Sequence, residues 1–256
     1  MKKILIIGNK GQLGSEFCRI LQSESVDFIG YDLPEFDVSD FDNVAQVIGN
    51  YQPDVVVNCS AYNFVDLAEL EPEKSQRVNA TGALNLARAC HRTKSFLVHF
   101  STDYVFDGTK NQPYTENDSP NPLNQYGHSK LLGEKMIATE TENYLILRTS
   151  WLYGKGKQNF IYKFLQWSNE KATIKIATDE ISVPTSVQTV ASVTLHALRK
   201  GLCGLYHLTN SGFASRFEWA NLLKEVLNLR VEINPAKMED FNLPAKRPKF
   251  SAMANS

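Results

Sequence analysis

Three glycines, Gly8, Gly11 and Gly14, follow directly on a β-branched run from Ile4 to Ile7. They open into a segment whose Leu13, Phe17, Ile20 and Leu21 recur at helical spacing. Few folds accommodate strand, glycine turn and helix in that order. The first glycine permits the tight turn, the second lets backbone approach a pyrophosphate, and the third lets the helix pack on the sheet, with the helix amino terminus facing the anion. Glycines kept for packing alone are the competing reading.

The rest of the first half repeats the pattern. Val26 to Tyr31 reads as a second strand ending at Asp32, Val44, Val47 and Ile48 mark a second helix, and DVVVNCSA from Asp54 a third, continuously apolar strand. Residues 74–91 read as a helix, Lys94 to Thr102 as a strand, 125–140 as a long helix, and Tyr144 to Arg148 as a further strand. Continuously apolar strands between helices require a parallel sheet covered on both faces. The expected fold class is therefore α/β, a doubly wound parallel sheet with a second, smaller C-terminal domain for substrate.

Later periodicity is less regular. Phe160 to Trp167 and Val187 to Leu198 look helical, Thr173 to Ile176 looks like a strand, and from Ile233 the chain is rich in proline and charge. The expected division is a dinucleotide-binding domain over 1–155, to which the chain returns at about 183–205, and a mainly substrate-binding domain over 156–256.

Composition narrows the partners. Of 256 residues 43% are hydrophobic, enough for a sizeable core, and 27 basic against 28 acidic residues leave a formal charge of -1. That balance gives no long-range attraction to nucleic acid or an anionic membrane. The apolar run near the amino terminus is too short for a signal-peptide core or a membrane span. Cys18, Cys59, Cys90 and Cys203 stand at neither metal-site nor redox-motif spacing, which fits a reducing cytoplasm.

Around the glycine turn, Lys10, Gln12 and Leu13 join the three glycines as candidate cofactor residues. Asp32, at the end of the second strand, can accept from an adenine-ribose diol, which favours NAD; a loop-capping role is the alternative. Lys10 could offset repulsion of a 2'-phosphate, leaving NADP open. Asn58, Cys59, Ser60 and Ala61 follow the third strand at its carboxyl end, where small residues let backbone approach a cofactor or simply make a tight turn.

Tyr126 and Lys130 in QYGHSK are four apart, on one face of a helix. An ammonium near a phenol favours phenolate and tunes the tyrosine for proton exchange. Thr102 ends the preceding strand in HFSTDYVFDG, so its hydroxyl could bind a carbonyl oxygen while Tyr126 donates a proton and a reduced nicotinamide donates hydride; Lys130 would also hold the nicotinamide ribose. Ser101 is the rival hydroxyl. Asp103, Tyr104 and Phe106 shape a pocket rim or close a loop, and His99 and His128 read as core or surface residues.

At these residues the sequence resembles the dTDP-4-dehydrorhamnose reductase family, within the extended short-chain dehydrogenase/reductases, whose nucleotide-binding domain is a Rossmann fold. The likeness runs through GNKGQLGSE, VVVNCSAYNFVDLAE, STDYVFDG, SPNPLNQYGHSKLLGE, RTSWLYG and RPKFS. It implies reduction of the C4 keto group of dTDP-4-dehydro-6-deoxy-L-mannose to dTDP-L-rhamnose, using NADPH or NADH. Thr102, Tyr126 and Lys130 would be the catalytic trio. Trp151 would lie against the sugar, with Val65, Asp103, Tyr104 and Asn159 also on the substrate side and Arg247 meeting the diphosphate. Trp151 has its own physical case, since an aromatic face packs on a sugar ring; a core tryptophan is the alternative.

Departures from the family pattern bear on the substrate. Asn63 stands where Thr is usual, and DEISVPT from Asp179 replaces DQxGxPT, losing an amide at Glu180 and a glycine at Ser182. The family's acidic cluster for a magnesium-linked dimer would use Glu16, but the chain ends in SAMANS, short of the family's C-terminal helix, so no metal is expected; a homodimer is the assembly the resemblance allows. A reductase of a related keto sugar is the nearest alternative. A non-catalytic NADP-binding regulatory subunit, like that of methionine adenosyltransferase, is the alternative from another class, and retention of Thr102, Tyr126, Lys130 and Trp151 argues against it.

Overall fold

The computed structural model describes residues 3–255, so Met1, Lys2 and Ser256, at the outer ends of the two expected spans, lie outside the described residues. The first half alternates as β1 (Ile4–Ile7), α1 (Gln12–Ser23), β2 (Phe28–Tyr31), α2 (Phe41–Tyr51) and β3 (Val55–Asn58). Two short helices, α3 (Val65–Leu70) and α4 (Pro72–Gln76), then lead to α5 (Gly82–Thr93), β4 (Phe96–Thr102), α6 (Gln125–Glu140) and β5 (Tyr144–Thr149). After β6 (Leu152–Tyr153) come α7 (Phe160–Glu170), β7 (Thr173–Ala177), β8 (Ile181–Ser182), β9 (Thr185–Ser186), α8 (Val187–Arg199) and β10 (Gly204–His207). The chain finishes with β11 (Ala214–Ser215), α9 (Arg216–Val226) and β12 (Glu232–Ala236).

Six strands form one parallel sheet in the order β10-β5-β4-β3-β1-β2. Alternation along each strand divides the core. Ile4, Ile6, Val55, Val57, Val98 and Phe100 face α1 and α8, while Leu5, Ile7, Val56, Leu97 and Ile146 face α2, α5 and α6. Because β1 pairs with β2 on one side and β3 on the other, the chain reverses its winding there and opens a crevice beyond the carboxyl ends of both strands. Buried Arg148 on β5 is held by Glu134 of α6 through Nε–Oε1 and Nη2–Oε2 bonds of 3.0 and 2.7 Å.

Three elements differ from the pattern read in the sequence. The helix expected over 74–91 is broken by a π turn, Arg77–Thr81, between α4 and α5. The wide turn carries buried Asn79, whose amide bonds both backbone groups of Tyr62 at 2.8 and 2.9 Å. The proline-rich tail contains β12, which pairs in parallel with β7. Pro235 is tolerated there because β12 is paired on one side alone. α9, which the pattern did not show, begins with a capping box between Ser215 and Glu218.

The smaller lobe packs α7 and α9 over β7 and β12, around Phe164, Ile174, Ile176, Ala220 and Val231. Within it β11 pairs with β8 and a bridge joins Ile181 to Phe250. The lobe is laced to the larger one by Ser182 and Ser251 on Asp103, by Arg247 on Asp66 and by the bridge from Tyr114 to Met253. Among the described residues, no helix is long and apolar enough to cross a membrane.

Candidate active site

A crevice of about 500 Å³ runs from the glycine turn to the smaller lobe. Gly8, Gly11, Gln12, Leu13, Asp32, Asn58, Cys59, Ser60 and Ala61 line one end, and Thr102, Asp103, Tyr126, Lys130 and Trp151 the other. At Gly8, φ is +78° and a Cβ would meet the Ser60 amide nitrogen at 2.9 Å. At Gly14 a Cβ would collide with the Gly8 carbonyl, so the helix approaches the turn as closely as only glycine allows. α1 has no side chain capping its amino terminus and no acidic residue in its first turn. Its leading N–H groups therefore remain free to bind an anion. This cradle fits the diphosphate of a dinucleotide.

Asp32 takes the loop-capping role from a place in the crevice wall. It lines the crevice while Oδ2 accepts from the Lys10 amide at 2.9 Å and Oδ1 from the Leu33 amide at 2.8 Å. Lys10 itself does not line the crevice: its ammonium is exposed and turned to Glu35 at 3.3 Å and to the Leu33 carbonyl.

At the reactive end, α6 begins at Asn124, whose side chain accepts from the Gly127 amide, and this cap sets Tyr126 and Lys130 on the face turned to β4. Burial pushes the Tyr126 phenol up to about 12, the Thr102 hydroxyl pulling the other way and Asp103 adding to the rise. The expected lowering by Lys130 is not what the geometry gives. Lys130 Nζ donates to the Phe100 carbonyl at 2.6 Å and lies 3.3 Å from His99 Nε2, and burial brings its pKa down to about 8 against the pull of Glu134. A buried ammonium spent on a backbone carbonyl leaves desolvation to govern the phenol.

His99, read from sequence as an ordinary core residue, is part of this arrangement. Asn58 Oδ1 accepts from the Ser60 amide and hydroxyl at 3.0 and 2.6 Å, so its Nδ2 faces His99 Nδ1 at 3.0 Å as the donor. His99 Nδ1 therefore accepts and the neutral ring carries its proton on Nε2, so the 3.3 Å approach to Lys130 Nζ is no hydrogen bond from the ammonium. Burial, reinforced by the Lys130 charge, holds this imidazole well below the usual histidine range. The signal available in the sequence is position: residue 99 is on the face of β4 that the helix bearing Lys130 covers.

Asp103 is almost wholly buried and accepts from Ser182 at 2.8 Å, Ser251 at 2.6 Å and Thr102 at 3.2 Å. Burial pushes its carboxyl up to about 6 against those bonds and the charge of Arg216. Tyr104 does not line the crevice; it stands edge-on behind Tyr126, its hydroxyl donating to Glu180 at 3.1 Å. Both departures in DEISVPT thus reach the segment just after β4, Ser182 through Asp103 and Glu180 through Tyr104.

Trp151 lines the crevice with φ at +42°, a strained conformation for an aromatic residue, and one face of its indole carries the Arg216 guanidinium, 3.5 Å from the ring centroid. Arg216 is a crevice residue that sequence reading passed over, because its place depends on the pairing of β11 with β8.

Besides Tyr104, three expected substrate residues lie outside the crevice. Val65 starts α3, while its neighbours Asn63 and Phe64 line the crevice. Asn159 is buried as the cap of α7, its amide donating to Gln12 Oε1 at 2.7 Å and to the Gly154 and Gly156 carbonyls, which leaves nothing for a substrate. Arg247 faces an adjoining cavity of about 1000 Å³ and is fixed to Asp66 by bonds of 3.1 and 2.7 Å, so its charge is largely matched. Lys246 and Lys249 stand exposed at that cavity.

Comparison with known proteins matches the model of the RmlD substrate binding domain to residues 1–256. The chain is 37% identical over 266 residues to dTDP-4-dehydrorhamnose reductase of Salmonella typhimurium, covering 98% of this chain and 88% of that one. It is 36% identical over 255 residues to the spore coat polysaccharide biosynthesis protein SpsK of Bacillus subtilis, covering 100% of this chain and 90% of that one. Among solved structures, it superposes on dTDP-4-dehydrorhamnose reductase from Bacillus anthracis in complex with NADP with a TM-score of 0.97 at 35% identity, over 100% of this chain and 91% of that one.

Proposed function

Because the chain belongs to the dTDP-4-dehydrorhamnose reductase family of extended short-chain dehydrogenase/reductases, we propose that it reduces the C4 keto group of dTDP-4-dehydro-6-deoxy-L-mannose to dTDP-L-rhamnose with NADPH or NADH. The observation that carries the reading is the meeting of the Thr102 hydroxyl and the Tyr126 phenol in the crevice that begins at the glycine turn. The chain is an NAD(P)H-dependent reductase.

The free N–H groups at the start of α1 would hold the cofactor diphosphate, Asp32 would accept from the adenine ribose, and Asn58 to Ala61 line the same crevice. When bound, the reduced nicotinamide supplies the hydride that goes to C4. Thr102 donates to the carbonyl oxygen and holds it against Tyr126. A phenol whose pKa lies near 12 keeps its proton through neutral pH, so the acid is present when needed. The C4 alkoxide that develops is a far stronger base than phenolate, so the proton passes from Tyr126 Oη to that oxygen. Lys130 brings positive charge to the same wall and can bind the nicotinamide ribose.

The nucleotide carrier belongs in the adjoining cavity, where Lys246 and Lys249 offer cations to a diphosphate and Phe250 an aromatic face. Four cysteines without a disulfide among them support a reducing compartment, the cytoplasm. The test is oxidation of NADPH and NADH by the purified protein with dTDP-4-dehydro-6-deoxy-L-mannose, with the product identified. Turnover to dTDP-L-rhamnose is expected; cofactor binding without turnover would overturn the reading.

A further inference from the structure

Arg216 presents the crevice with donors that the protein itself does not use. Its Nε lies 3.4 Å from Glu180 Oε2 and its backbone amide donates to the Glu180 carbonyl at 3.0 Å. Among the described residues, neither terminal guanidinium nitrogen has an acceptor. The group lies on the Trp151 indole and beside Phe160, whose ring centroid is 5.1 Å away. It opens on the same crevice as Thr102 and Tyr126. A planar fork fixed on a shelf loses little entropy when it binds, and its parallel N–H bonds suit a pair of neighbouring oxygens.

Charge selects which oxygens. Glu180 offsets the guanidinium, and Asp103 stands close enough for the two charges to be felt. A diphosphate is drawn to cations without such partners, which the adjoining cavity supplies in Lys246 and Lys249. A sugar carboxylate would meet Glu180 at the same place. Neutral ring hydroxyls carry neither penalty. The family pattern has an amide at position 180, so the carboxylate that balances Arg216 belongs to this chain's own departure from that pattern.

We infer that Arg216 is a specificity-determining residue of the proposed reaction, its terminal nitrogens donating to hydroxyls of a neutral sugar ring from a seat made by Trp151 and Glu180. This rests on the reading of the crevice as the site of a nucleotide-linked keto sugar. Trp151 then acts as the shelf for a guanidinium as well as a wall of the sugar site.

The test is titration calorimetry with dTDP and with dTDP-L-rhamnose, each in the presence of saturating NADP, on the wild type, Arg216→Gln and Arg216→Lys. The ratio of the two affinities isolates the sugar's contribution. In the wild type the sugar nucleotide is expected to bind more tightly; equal binding would overturn the substrate reading itself. Arg216→Gln should lower the ratio by roughly 10- to 100-fold, the range for hydrogen bonds from a charged donor, with dTDP affinity unchanged. Arg216→Lys should fare little better, since it keeps charge and loses the fork. Equal losses for both ligands would assign Arg216 to the diphosphate, and an unchanged ratio would remove it from the site; either overturns the proposal. Should Arg216→Gln fail to bind NADP, Glu180→Gln decides the matter: loosening the seat must reduce the ratio, and an unaltered ratio sinks the inference.

Discussion

The Ser182 hydroxyl donates a 2.8 Å hydrogen bond to Oδ2 of Asp103, joining β8 to the residue that follows Thr102. Burial dominates that carboxyl and pushes its pKa up to about 6. A carboxyl whose folded pKa is raised favours the protonated fold, so its stabilising contribution is complete below the ordinary aspartate value of about 4 and is lost as pH rises through about 6. Replacing Asp103 by Asn should flatten the dependence of unfolding free energy on pH across that interval. Urea denaturation of the two proteins between pH 4 and pH 8 measures it; identical slopes would contradict the assignment.

Tyr126→Phe removes the proposed proton donor and leaves the ring edge-on to Tyr104. Turnover of the keto sugar should fall by about 10²- to 10⁴-fold. NADP affinity should hardly change, because the proposed diphosphate cradle at the glycine turn and α1 is untouched. Loss of cofactor binding in step with turnover would place the phenol in a different role.

Lys130 should produce two opposite trends with pH. If its ammonium serves the reaction, kcat/KM falls as pH rises above about 8, where the buried amine loses its proton. Stability moves the other way, since the cost of burying the ammonium is fully felt below about 8 and fully relieved only above the ordinary lysine value. The groups facing this amine are His99 on β4 and Tyr126 and Glu134 on α6. Nitrogen-15 NMR of His99 should show a neutral ring protonated at Nε2 from pH 5 to pH 9; the Nδ1 tautomer would overturn the hydrogen-bond order through Asn58.

Gly14→Ala should cost about 1–3 kcal/mol, the range for overpacking a tight site, and weaken NADPH binding along with it. Gly49 in α2 is the matched control, as a Cβ there meets nothing within 4 Å. Gly49→Ala should leave binding intact and be neutral or stabilising by up to about 1 kcal/mol. Melting curves and cofactor titration of both variants check this.

Local periodicity carried most of the larger lobe. The strand and helix that bracket Gly8, and the helix from Gln125 to Glu140, follow from apolar spacing and turn chemistry within a few residues. The smaller lobe was harder because its strands pair across long stretches of chain: Glu232–Ala236 becomes a strand only against Thr173–Ala177. α9 had a local signal, Ser215 with Glu218 three residues on, that was passed over. At the site, Tyr126 and Thr102 could be found because one helix and one strand end hold them. Arg216 and the commitment of Asn159 to Gln12 could not, since each depends on which distant segment arrives beside it. Arg247 was legible as a cation but not as one already matched by Asp66.

The lacing of the smaller lobe to the sheet bears on how substrate gets in. A lobe on one hinge swings like a door, but here Ser182 and Ser251 on Asp103, Arg247 on Asp66 and the bridge from Tyr114 to Met253 are separate stitches between the two lobes. Opening the seam requires all of them to part together. In the proposed function that stitching leaves the sugar nucleotide to enter a mouth whose walls, Arg216 on Trp151 among them, already stand in place.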